Sequence, residues 1–184
     1  MLCESGDLRE FIVCPPVSPN REEEQAMSPV QESRRIVSLH TTVFNKPPEN
    51  TPSSSSVDGP LLGNGDMEVA IGGLPEALSF ILCKNDLWRL QHAYGKSSPV
   101  PFGQLTIAIP ALENASYKVT QDLYTATTRG VFERNGAAVH INSYVAATEN
   151  LLILELTSVG QSFDVTVALQ VAKGRGSDSE SGRD

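Results

Sequence analysis

At 184 residues, 40% hydrophobic and 20% charged, the chain has room for one ordinary hydrophobic core. A net charge of −8 without any cluster of Lys and Arg argues against nucleic acid, whose phosphates need clustered cations. No run approaches the ~18–20 apolar residues that cross a bilayer, which argues against a helical membrane span.

Residues 1–58 hold Pro15, Pro16, Pro19, Pro29, Pro47, Pro48 and Pro52, the run Glu22-Glu23-Glu24, and Ser53 to Ser56. Such a composition buries too little apolar surface to offset the entropy of ordering, so this segment is expected to be mostly disordered. Arg35 to Phe44 alone has the look of a short strand. The opening MLCESGDLREFIVCPP puts Glu4, Asp7 and Glu10 where a secretory leader carries a basic start and an apolar core, so no signal peptide is expected. Cys3, Cys14 and Cys83 form an odd set without metal-ligand spacing, and no metal or cofactor is expected. Cys83, in an apolar run, reads as a buried small hydrophobe.

From Leu61 onward the hydrophobic period is two, the mark of strands with one buried face. Met67, Val69 and Ile71 alternate with Glu68 and Ala70. Leu78, Phe80 and Leu82 follow, then Leu105, Ile107 and Ile109. Val139, Ile141 and Val145 share a face opposite His140, Asn142 and Tyr144. Leu152, Leu154 and Leu156 come next, and Phe163, Val165, Val167, Leu169 and Val171 close the series. Asn135-Gly136 is a strong hairpin signal, because type I′ turns need positive φ at both positions. Gly72 to Glu76, Thr148-Glu149-Asn150 and Val159-Gly160-Gln161 read as further turns. No amphipathic helical stripe is visible. The chain is thus expected to be all-β, an antiparallel β-sandwich over residues 59–172, with a disordered tail at 173–184.

Hydrolysis by a carboxylate pair needs two groups opposed across the scissile bond. Asp66, Glu68, Glu76, Asp86, Glu113, Asp122, Glu133, Glu149, Glu155 and Asp164 are scattered over turns and solvent faces, and none is expected to be catalytic. His40, His92 and His140 have no nucleophile motif beside them. Gly63-Asn64-Gly65 precedes a strand, so no helix N-terminus is available for a phosphate. Asn114-Ala115-Ser116 matches the glycosylation acceptor pattern, but without a secretory route the match is read as chance.

One stretch carries more. Gly59 to Trp88 joins the turn Gly63-Asn64-Gly65-Asp66 through two apolar runs to Asn85-Asp86-Leu87-Trp88. This order resembles the start of the N-terminal β-sandwich domain of glycoside hydrolase family 95, where a "PLGNGxxGA" segment leads to a strand ending in "NxDTLW". Later runs fit too: PFGQLTIAIP, the stretch with Tyr117 and Leu123, Ala126 to Phe132, and Val145 to Asn150. The resemblance covers about 59–171. It departs at Met67-Glu68, where the family has Leu-Gly, and at Lys84 in a knot one residue shorter. It therefore implies a divergent branch, and no particular sugar is carried over.

The resemblance implies a partial supersandwich that supports a catalytic helical barrel lying downstream and absent from this chain. Carbohydrate is the implied partner, and the implied substrate-binding residues are Asn64, Asp66, Asn85, Asp86 and Trp88. Amides and carboxylates hold sugar hydroxyls while an indole face stacks on the ring. On sequence a second reading stays open, with Asn64 and Asp66 bonding their own turn and Trp88 plugging the core. A stand-alone carbohydrate-binding or protein-interaction sandwich is the alternative. It would need an exposed aromatic platform drawn from Tyr94, Phe102, Tyr117, Tyr124 and Tyr144. An inactive gene remnant is a further alternative.

Overall fold

The computed structural model describes residues 27–51, 57–91 and 96–171. The disorder expected for residues 1–26 and 173–184 lies outside those residues, as do the readings of Ser53 to Ser56, Cys3, Cys14, His92 and Tyr94. The expected all-β sandwich is present: among the described residues ten strands form two antiparallel five-stranded sheets. They are β1 (Thr41–Phe44), β2 (Leu61–Gly63), β3 (Met67–Leu74), β4 (Ala77–Gln91), β5 (Lys96–Ala108), β6 (Lys118–Asp122), β7 (Thr127–Arg134), β8 (Ala137–Val145), β9 (Leu152–Val159) and β10 (Thr166–Val171). One sheet runs β1-β6-β7-β8-β9 and the other β10-β5-β4-β3-β2.

The alternation in the sequence becomes the core. Val69, Ile71, Leu78, Phe80 and Ile107 face Phe132, Val139 and Ile141, all at most 4% exposed. At one rung the apolar row is interrupted, and the hydroxyls of Thr128 and Ser143 satisfy each other across β7 and β8. Gly130 makes room beside that pair, since a Cβ there would come within 2.8 Å of the Phe132 ring. The Asn135-Gly136 hairpin forms as expected, with φ of 54° and 80°, between β7 and β8.

Side chains tie β2 and its turn to the other sheet: Gln121 of β6 donates to the carbonyl of Leu61 at 2.6 Å, while the next turn, at Asn64, reaches Ala146 just past β8.

Four expectations are corrected. A helix exists: α1 (Pro29–Ser38) takes up the first part of the run read as a strand, leaving Thr41–Phe44 as β1. Its origin is local. Ser28 and Gln31 form a reciprocal capping box, Pro29 sits in the first turn, and Glu32 pairs with Arg35. None of its residues is buried, so it leaves no apolar stripe to read. β1 joins β6, so the sandwich also takes in chain before residue 59. Cys83 is a half-buried free thiol, its pKa raised by burial and then by Glu68. The last apolar row is the fourth: all six residues of β10 are exposed.

Candidate functional site

The site begins with a break in strand pairing. β4 follows β5 residue for residue from Ala77 to Leu82, then the register shifts, and pairing resumes at Trp88 opposite Pro99. Residues 84–87 are released in a bulge, a device that re-aims side chains. On the other side the released stretch is held by the neighbouring turn, since the amide of Asn85 donates to the carbonyl of Asp66 at 2.8 Å. Gly65, at φ 92°, lets the β2–β3 turn close with Asn64 at its head.

Asn64 works in two directions. Its Oδ1 accepts from the amides of Asp66 (3.0 Å) and Met67 (2.8 Å), which shapes the turn. Its Nδ2 donates to the carbonyls of Ala146 (3.0 Å) and Glu149 (3.1 Å) in the β8–β9 loop, which ties one sheet to the other. Asp66 lies next to this latch. Asn150 Nδ2 donates to one of its oxygens at 2.7 Å and Lys84 Nζ to the other at 3.0 Å. These two contacts, the amide foremost, hold the Asp66 carboxyl below the usual carboxylate range. Lys84 also reaches Asp86 at 2.8 Å, and its own pKa is raised by Asp86 and then Asp66.

The sequence-predicted residues are therefore brought together, but in different roles. Asn64 is committed to backbone groups. Asp66 and Asp86 share one ammonium. With Nζ 3.0 Å from one carboxylate oxygen and 2.8 Å from the other, those oxygens are at most 5.8 Å apart. That separation alone would suit a retaining pair of ~5–5.5 Å, but Lys84 fills the gap. A carboxyl whose pKa is lowered is also the wrong group to give up a proton as general acid. The arrangement can hold hydroxyls; it is not built for proton transfer.

Trp88 is not a core plug. It is 51% exposed, and its indole N–H donates to the carbonyl of Asn85, which fixes the ring beside the bulge. Among the described residues the other aromatic candidates offer no platform. Tyr117 is buried against Phe132, Phe102 and Tyr144 are half-buried, and Tyr124 lies beneath the Arg34 guanidinium, 5.1 Å from its ring centre. Asn150 and Lys84 are members of the cluster that sequence reasoning missed. Lys84 stood inside the motif as an oddity, whereas Asn150 lies 84 residues from Asp66 in sequence, with no local signal to connect them.

Among the described residues no group of His, Cys, Asp and Glu is arranged to hold a metal ion. No helix of the described residues is long and apolar enough to cross a membrane. Compared with protein-family models and with curated protein sequences, the chain matches none.

Proposed function

We propose that this sandwich is a non-catalytic domain of a carbohydrate-active protein, of the kind found N-terminal to the barrel in glycoside hydrolase family 95. On this reading it supports a catalytic barrel and contributes one wall of a sugar pocket. The observation that carries the reading is Trp88, an exposed indole fixed by its own N–H beside Asn85, Asp86 and Asp66. An aromatic face presented to water next to amide and carboxylate acceptors is the composition that holds a pyranose. The lysine-locked carboxylates favour a holding role over a chemical one.

The test uses Trp88 as its own reporter, since it is the only tryptophan. Titrating the chain with neutral xylo-, galacto- and manno-oligosaccharides should shift the emission for at least one series, with a dissociation constant in the millimolar range. Trp88→Ala should abolish binding measured calorimetrically and leave the far-ultraviolet circular dichroism unchanged, because the ring is outside the core. If no series perturbs the emission, the sugar-wall reading fails.

A further inference from the structure

β10 closes its sheet without being covered. It pairs with β5 in unbroken register from Thr166 opposite Ala108 to Val171 opposite Gly103, and its other edge pairs with no strand among the described residues. Directly opposed residues share a face of a sheet. Val167 therefore lies on the same face as Ile107, and Leu169 on that of Leu105, which is the face that forms the core. Yet Val167, Leu169 and Val171 are 61%, 62% and 66% exposed. The core-facing row runs on past the sheet meant to cover it.

Natural edges are usually blunted by charge, proline or a bulge. β10 has none of these: Thr166–Val171 reads TVALQV, and its neighbour from Gly103 to Ala108 reads GQLTIA, also without charge. In a chain of net charge −8, a neutral margin lets two copies approach without like charges opposed.

We propose that this edge pairs with the same edge of a second copy, antiparallel about a two-fold axis. Geometry then restricts the register. The axis keeps the inward face inward in both copies, so opposed residues must have the same parity. Centred on Leu169, it sets Leu169 against Leu169 and Val167 against Val171, and the two exposed aliphatic rows become one. The contact involves few residues compared with the ~20–30 per side of stable interfaces, so the association is weak and concentration-dependent. It lies at the opposite edge of its sheet from β2, whose turn carries Asn64 and Asp66, so it neither requires nor blocks the proposed sugar wall.

Sedimentation of the full chain from tens to hundreds of micromolar should show a monomer–dimer equilibrium. Leu169→Lys places two ammonium groups against each other on the axis and should weaken it by about tenfold. Leu74→Lys, at a site 52% exposed next to the β3–β4 turn, makes the same change of charge and should leave it intact. Both positions are exposed, and circular dichroism verifies that each variant is folded. With the native cysteines replaced by serine, Leu169→Cys should form a disulfide dimer under mild oxidation. A chain that stays monomeric, a dimer insensitive to Leu169→Lys, or equal loss with Leu74→Lys would overturn the proposal.

Discussion

Asn64 offers a sharp test of the physical account, because its two side-chain atoms do separate jobs. Asn64→Ala removes two bonds that shape the turn and two that join the sheets, the third Nδ2 contact at 3.4 Å to Asn150 being too long to weigh. At ~1 kcal/mol net for each, reduced because the site is partly open to water, the loss is about 2–3 kcal/mol. Asn64→Asp is more informative. It keeps the oxygen that accepts from Asp66 and Met67, but turns a carboxylate oxygen toward the carbonyls of Ala146 and Glu149, close to Asp66. If the inter-sheet bonds matter, this near-isosteric change costs at least as much as the alanine at pH 7 and is partly relieved in acid. Urea unfolding followed by circular dichroism should show midpoints lower by about 1–2 M with unchanged slope. A stability for Asn64→Asp within ~0.5 kcal/mol of the parent would refute the latch and leave Asn64 a turn residue only.

Two further outcomes follow from single groups. The Tyr117 hydroxyl is buried without a partner among the described residues and its pKa is pushed up to about 12 by burial, so Tyr117→Phe, which keeps the contact with Phe132, should raise stability by about 1 kcal/mol and the melting temperature by a few degrees; a lower melting temperature would mean that the hydroxyl is satisfied. Because folding lowers the Asp66 pKa, its stabilising contribution is complete above the unfolded value of ~3.9 and is lost as pH falls through the folded value. Melting temperature should accordingly be insensitive to this group above about pH 5 and fall in acid, with Asp66→Asn shallower than the parent below about pH 4.

The residues that were legible in the sequence are those with a strict period of two. Met67, Val69 and Ile71, like Leu78, Phe80 and Leu82, are buried where their alternation put them, because a strand backed by one apolar layer has no other solution. The same alternation misled at Val167, Leu169 and Val171: period reveals which residues share a face, but not whether another sheet lies over that face. Helix α1 was illegible to periodicity since nothing in it is buried, although its capping box was written in Ser28 and Gln31. At the site, Asn64, Asp66 and Trp88 stood out through turn chemistry and aromatic rarity. The partners that give them their roles, Lys84 across a bulge and Asn150 across the sandwich, depend on three-dimensional closure that no local pattern encodes.

The Asn64 latch also bears on the order of assembly. It connects positions 82 and 85 residues apart, and Gln121 bonds Leu61 across 60. Hairpins such as β3–β4 and β7–β8 close over two-residue turns and can form early, while contacts of such long range are reached only after the intervening chain has been organised. The β2–β5 and β6–β9 runs are thus free to mature as separate meanders, and β2, first in the chain among the strands of its sheet, is fastened near the end. A chain caught before that step would have both layers built but not yet locked together, with the inner faces of each still open to water.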